Sequence, residues 1–268
     1  MIHKAKKSLG QNFLKSEKIL EKICKTGDIK KDDIILEIGP GKGSLTKKLL
    51  EKSGTVIAVE KDYELIEILK EKFFDEIKNK KLILVEGDIL KFDIEKILNK
   101  KENYKIIANI PYNITGAIFK KFLSCNSQPS KMVLLVQKEV VERIIARDEK
   151  ESILSLSIKI YGDPKYIMTV SKNFFTPKPK VDSGIILIDN ISRKNFANQN
   201  QEKIFFELIK NGFAHKRKIL KKNLKELIGD SSKIEKILEK LKIQQNIRAE
   251  DLDLEKWLEI SKILSTEK

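Results

Sequence analysis

The sequence predicts an α/β domain built on a doubly wound parallel sheet, followed by a small all-helical domain. Three observations carry that assignment. From Asp33 to Asp189, short apolar runs ("IILEI", "TVIAVE", "LILVEGD", "KIIANI", "MVLLVQ") alternate with amphipathic stretches. Runs of this kind read as strands buried on both faces, and their alternation with helices implies parallel crossover units. From Glu202 onward the pattern changes: "EKIFFELIKNGF", "KRKILKKNLKELIG", "SKIEKILEKLKI" and "LDLEKWLEISKIL" all carry helical periodicity. The length of 268 residues favours one large domain with a smaller companion.

The elements follow in order. "SEKILEKICKTG" opens with Ser16 as N-cap, spaces its apolar residues helically and ends at Gly27, which predicts a short leading helix. "IILEI" is the first buried strand and runs into a glycine-rich turn and a helix. "TVIAVE", "LILVEGD", "KIIANI" and "MVLLVQ" supply the next four strands, and "GIILIDN" closes the alternating region. The polar segment "ISRKNFANQNQ" has no periodic apolar face and reads as a linker. Residues 1–190 are therefore expected to form the α/β domain with its leading segment, and 191–268 the helical domain. No internal repeat is present, and the Lys-rich stretches stay amphipathic.

With 54 Lys+Arg against 39 Asp+Glu, the net charge of +15 points to a polyanionic partner, nucleic acid first among them. Cys24 and Cys125 stand far apart without neighbouring ligands, as free thiols of a reducing compartment do. His3 and His215 are the only histidines. That removes the usual parts of a His-based metal site, a Ser-His pair or a His general base, and with them most hydrolase chemistry; no metal is expected. No apolar run approaches membrane-spanning length, and "MIHKAKKSLGQ" lacks the apolar stretch of a secretion signal. A cytoplasmic protein is expected.

The first chemical motif is "ILEIGPGKGSLTKKL". Gly39, Gly41 and Gly43 fall between a buried strand and a helix, where glycine permits a tight turn and close approach of ligand atoms, and the helix start offers free N–H groups. The third glycine of a dinucleotide fingerprint is replaced by Ser44. Glu60 ends the next strand, where a carboxylate can accept from both hydroxyls of a ribose, and Asp88 ends the third strand. A lone strand-end acid is usually a helix cap. Gly, Glu and Asp at three successive strand ends suit an adenosine ligand instead, with Glu60 for the ribose, Asp88 for the adenine amine and the loop for an amino-acid tail.

An adenosine site fits NAD or S-adenosylmethionine, and "NIPYNITG" at the fourth strand end decides between them. The side-chain oxygen of Asn109 and the main-chain carbonyl of Ile110 can accept the two N–H bonds of an adenine amine and orient its lone pair. Pro111 stiffens the turn, and Tyr112 offers a flat ring to a base drawn out of its stack. Singly, Asn109 is a strand cap and Tyr112 a half-buried core residue; together they specify amine methylation. A second ring is expected from "NFFTPKPKVDSG", with Phe175 facing the base and Phe174 packing inward. Farther along, "KRKILKKNLKELIG" is predicted to be one helix with Ile219, Leu220, Leu224, Leu227 and Ile228 on one face and Lys218, Lys221, Lys222 and Lys225 mainly on the other. With Lys216 and Arg217 beside it, this face reads as a phosphate-binding surface.

"KSLGQNFL", "EIGPGKGSLT", "VEKD", "EGDIL", "ANIPYNIT", "VQKEVVERI", "FFTPKPKVDS", "AHKRKILKKNL" and "RAEDLDLEKW" occur in an order and spacing that resemble the KsgA-type (RsmA) ribosomal RNA adenine dimethyltransferases, over nearly the whole chain. The resemblance implies a Rossmann-like methyltransferase domain with a small helical C-terminal domain. It implies S-adenosylmethionine as cofactor and dimethylation of N6 on two adjacent adenosines near the 3′ end of 16S rRNA, within an assembling small subunit and by a monomer. By position it implies cofactor contacts at Asn12, Leu14, Gly39, Glu60, Asp88 and Asn109, and a target-adenine pocket of Asn109, Tyr112 and Phe175. "AHKRKIL" departs from the Gln-Arg-Arg type sequence commoner in the family, while keeping its charge. Three other functions compete with this one: an erythromycin-resistance methyltransferase acting on large-subunit rRNA, opposed by the C-terminal signatures; an assembly factor acting by binding alone, opposed by the intact "NIPY"; and a nicotinamide oxidoreductase, opposed by Ser44.

Overall fold

The computed structural model describes residues 4–98 and 103–266; His3 lies outside the described residues. The chain divides into two compact units, the first formed by Met1–Val141 with Asp163–Ile191. In chain order this unit holds β1 (Phe13–Leu14), α1 (Glu17–Thr26), β2 (Ile34–Ile38), α2 (Ser44–Lys52), β3 (Thr55–Glu60), α3 (Tyr63–Lys72), α4 (Phe74–Lys78), β4 (Leu82–Glu86), β5 (Tyr104–Asn109), α5 (Thr115–Ser124), β6 (Lys131–Gln137), the start of α6 (Lys138–Ile145), β7 (Asp163–Val170), β8 (Phe175–Thr176) and β9 (Ser183–Asp189). The apolar runs bury both faces as expected: β2, β3 and β6 are buried along almost their whole length.

The main sheet has the order β4-β3-β2-β5-β6-β9-β7. The first five strands are parallel, in agreement with the sequence, but β9 runs antiparallel to both β6 and β7. The wholly parallel expectation needs that correction. β7 is only partly buried, so it shows no continuous apolar run, and it reaches β9 through the segment 171–182, which carries β8 but no crossover α-helix. A second, two-stranded sheet pairs β1 with β8, setting Phe13 opposite Thr176 and Leu14 opposite Phe175.

The parallel register brings four chain ends to one edge: Gly39 after β2, Glu60 at the end of β3, Asp88 beyond β4 and Asn109 at the end of β5. Behind that edge, Ile19, Leu20 and Ile23 of α1 and Leu45 and Leu49 of α2 pack in one cluster with Ile35, Val56, Ile107 and Leu135 of the sheet. Each such side chain contributes about 1.5–3 kcal/mol on burial. Ser16 occupies the N-cap position of α1 without a capping side-chain bond. Asp62 does cap α3, accepting from Glu64 N at 3.2 Å.

The second unit is Glu142–Gly162 with Ser192–Lys268, so the expected division at 190/191 is corrected: the segment 142–162 joins the helical part. The reason is long-range packing that no local pattern reveals. α7 (Ile153–Lys159) leads to Tyr161, whose ring lies 5.9 Å from Phe196 and 6.0 Å from Phe206. Glu151 N donates to Glu250 O at 2.8 Å, and Lys150 pairs with Asp251 at 2.7 Å. Phe196 also packs edge-on against Phe205, so the expected linker is anchored. Four more helices complete the unit: α8 (Gln199–Gly212), α9 (Leu220–Ile228), α10 (Ser231–Lys240) and α11 (Leu254–Thr266). Trp257 is fully buried, donates to Leu252 O at 3.1 Å and stacks on Phe213. Gly212 makes room for it, since a Cβ there would run into the indole. Among the described residues no helix is long and apolar enough to cross a membrane.

Candidate active site

The strand ends open into a cleft of about 250 Å³, lined among others by Asn12, Leu14, Gly39, Gly41, Glu60, Asp88, Asn109, Ile110, Pro111 and Tyr112. The structure thus gathers ten of the sequence-derived site residues in one place. The loop after β2 is left-handed at Gly39, Gly41 and Gly43. At Gly43 a Cβ would lie 2.5 Å from the Phe73 ring, which leaves no room for one, and at Gly41 it would sit tightly, 3.0 Å from the Phe13 ring.

Glu60 is buried, and its carboxylate is already engaged. Oε2 accepts from Gly41 N at 3.1 Å, and Oε1 accepts from Lys61 N and Asp62 N, each at 2.9 Å. A carboxylate has about four acceptor sites, so roughly one remains open to a ligand, fewer than the two ribose contacts expected. Burial raises the Glu60 pKa, against the pull of those backbone donors. Asp88 behaves oppositely: its ion pair with Lys61 at 2.9 Å and the bond from Leu90 N hold its pKa low.

Asn109 is oriented by the N-terminal segment. Its Nδ2 donates to Asn12 O at 3.0 Å, which commits the amide hydrogens on that side and leaves Oδ1 as the group with acceptor capacity to spare. The segment is itself fastened. Gln11 Nε2 donates to Asp62 Oδ2 at 2.7 Å, and Lys6 Nζ reaches Asp62 Oδ1 at 2.6 Å and Glu64 at 3.1 Å. Pro111, at φ −59° and ψ 134°, turns the chain into the single 3-10 turn Tyr112–Ile114. Thr115 Oγ1 caps that turn on Tyr112 O at 3.1 Å. This accounts for the unusual residues after β5: they build a stiff turn rather than a flexible one. The Tyr112 ring borders the cleft half-buried, its phenol pKa raised by burial.

Phe175 is not where the sequence put it. It is 4% exposed and belongs to the core cluster with Leu14, Leu20 and Ile185, whereas Phe174 is 42% exposed. Pairing of β8 with β1 sets Phe175 opposite the buried Leu14 and drives its ring into the core, so the inward and outward assignments of the two phenylalanines are exchanged.

Lys216, Arg217 and Lys218 lie in the second unit on an exposed loop, because α9 begins only at Leu220 with Ile219 as its N-cap. The expected helix is therefore shorter, and Lys218 is not on it. Asn223 holds the loop by donating to Gly212 O at 2.6 Å and His215 O at 3.1 Å. Lys222 and Lys225 are exposed on α9, while Lys221 pairs with Glu235.

Sequence reasoning missed Glu37. This residue lies inside β2, is 1% exposed, lines the cleft, and has its Oε2 without a hydrogen-bond partner. Burial pushes its pKa up to about 8. The signal was present as a lone charge within the apolar run "IILEI". The fastening of Lys6 and Gln11 on Asp62 carried no such signal, being a contact between distant segments. Among the described residues no group of three or more His, Cys, Asp and Glu forms a metal site.

A family model described as ribosomal RNA adenine dimethylase matches residues 2–266. The chain belongs to this family. Ribosomal RNA small subunit methyltransferase A of Dehalococcoides mccartyi is 41% identical over 255 residues, covering 95% of this chain and 86% of that protein. Its namesake in Fusobacterium nucleatum is 38% identical over 265 residues, covering 98% of each. Among solved structures, a dimethyladenosine transferase from Plasmodium falciparum superposes with a TM-score of 0.81 at 28% identity, covering 95% of this chain and 98% of that one. The 23S rRNA methyltransferase ErmE shares the fold, with a TM-score of 0.76 at 21% identity over 96% of this chain and 100% of that one.

Proposed function

We propose that this chain uses S-adenosylmethionine to dimethylate N6 of two adjacent adenosines near the 3′ end of small-subunit rRNA, acting as a cytoplasmic monomer on an assembling subunit. The observation that carries the reading is the Asn109 amide. Its nitrogen is tied to Asn12 O while its oxygen stays available, on the same edge as Glu60 and Asp88.

The cleft suits the cofactor. Gly41 adds no side chain beside Phe13, and Glu60 and Asp88 offer acceptors for a nucleoside. When bound, S-adenosylmethionine supplies an electrophilic methyl carbon. Asn109 Oδ1 and the Ile110 carbonyl accept the hydrogens of the target amine and direct its lone pair. Tyr112 stacks on the extruded base, worth about 1–3 kcal/mol. Asn12 and Leu14 close the cofactor side. Lys216, Arg217, Lys218, Lys222 and Lys225 of the helical unit take phosphates.

The test is tritium transfer from labelled S-adenosylmethionine to isolated small subunits that lack the modification, with nucleoside mass spectrometry of the product. Two N6,N6-dimethyladenosines in the 3′-terminal region are expected. Small subunits left unlabelled while isolated large subunits, assayed in a parallel reaction, take up label would overturn the substrate assignment.

A further inference from the structure

Ser183 is the first residue of β9 and is fully buried, on a strand whose next five residues are also buried and carry no polar side chain. Most buried hydroxyls are hydrogen-bonded, and here the partner belongs to the cleft: Tyr112 OH lies 2.7 Å from Ser183 Oγ. We infer that Ser183 is a positioning residue for methyl transfer, fixing the position of the Tyr112 ring beside the target base. The inference rests on the proposed adenine methylation.

Ser183 is suited to that task because its own place is over-determined. It pairs with Gln137 of β6 on one side and Val170 of β7 on the other. The preceding Asp182 is held twice, its carbonyl accepting from Lys138 N at 3.0 Å and its Oδ1 accepting from Lys172 N at 2.9 Å. Tyr112, by contrast, follows a turn that fixes its backbone but leaves the ring free to rotate about its side-chain bonds. A hydrogen bond at the far end of the ring fixes where the phenol oxygen lies and so restrains rotation about Cα–Cβ, which places the stacking surface before RNA arrives, where preorganisation acts on rate. Ser183 touches neither cofactor nor base; it acts through the phenol.

The experiment is a double-mutant cycle of Ser183→Ala and Tyr112→Phe, read in two ways. In protein labelled with 3-fluorotyrosine, Ser183→Ala should shift or broaden the Tyr112 resonance and spare the other tyrosines, with the melting temperature measured alongside. In methyl transfer to small subunits, each single variant should lower kcat by roughly 2- to 10-fold, as for one missing hydrogen bond, with KM for S-adenosylmethionine unchanged. The double variant should be no slower than either single one, because both remove the same interaction. Multiplying effects, or an unmoved resonance with full turnover in Ser183→Ala, would overturn the inference. If the unsubstituted protein transfers no methyl group, it is the function that fails, and the resonance alone decides whether Ser183 holds the ring.

Discussion

The two sides of the cleft are held by different means. On the cofactor side, the Glu60 carboxylate is gripped by amides of its next two residues and of Gly41, only 19 positions away. On the target side, Asn109 is oriented across 97 positions by Asn12, and Tyr112 across 71 by Ser183. The cofactor side is consequently a local design, a strand end and its adjoining loop, while the target side exists only once distant segments have folded together. Such a division predicts that damage to the cofactor side spreads into the fold, and that damage at Tyr112 falls on catalysis with cofactor binding preserved.

The largest effect should come from the target side. Asn109→Ala removes the amine acceptor and is expected to slow tritium transfer by about 10²-fold or more. Tyr112→Ala should slow it by roughly 5- to 150-fold with cofactor affinity retained. The melting temperature separates both from misfolding, and near wild-type turnover for Tyr112→Ala would break the comparison.

Glu60→Ala probes the other side. Loss of a charge-assisted hydrogen bond should weaken S-adenosylmethionine binding by about 1.5–3 kcal/mol in calorimetry. Because Gly41, Lys61 and Asp62 N–H groups lose their acceptor, the melting temperature should fall as well. Reduced affinity with unchanged stability would mean that the carboxylate serves the ligand alone.

Glu37 gives a smaller, pH-dependent signal. Its folded pKa of about 8 stands above the ordinary value of 4.5. Between those values the folded state holds a proton that the unfolded chain has released, so stability falls as pH rises from about 4.5 to about 8 and levels off beyond. The slope contributed is at most about 1.4 kcal/mol per pH unit. Glu37→Gln keeps the neutral shape and should flatten this decline, as measured by denaturant unfolding across the range from weakly acidic to weakly alkaline buffer.

The smallest effect should lie outside the cleft. Replacing Lys216, Arg217, Lys218, Lys222 and Lys225 by Gln should weaken small-subunit binding and make its log-log salt dependence shallower by about 0.7–0.9 for each phosphate left unneutralised. Cofactor affinity should not move. Identical salt slopes for both proteins would show that RNA is gripped elsewhere.

The same contrast explains what the sequence disclosed. Gly39, Gly41, Glu60, Asp88 and the "NIPY" turn were legible because parallel strands deliver their ends to one edge, and strand ends can be counted from apolar runs. β7 was illegible because an edge strand with one wet face has no continuous run. Phe174 and Phe175 were exchanged because Phe174 ends a 3-10 turn while Phe175 starts a two-residue strand, and only the partner strand says which way is in. Residues 142–162 joined the helical unit through Tyr161 and Glu250, partners invisible to local periodicity.

Asp62 is a joint shared by three parts. One buried carboxylate caps α3, takes Gln11 and takes Lys6, and the segment so fastened supplies the carbonyl that orients Asn109. The N-terminal segment is therefore not an interchangeable module. Grafted onto a related scaffold it should serve only where the host keeps an acid in the position of Asp62, and a tail lacking Lys6 and Gln11 grafted here would leave that carboxylate buried with its strongest donors gone. Chimeras that exchange the first dozen residues should succeed or fail with that pairing, whatever their overall identity.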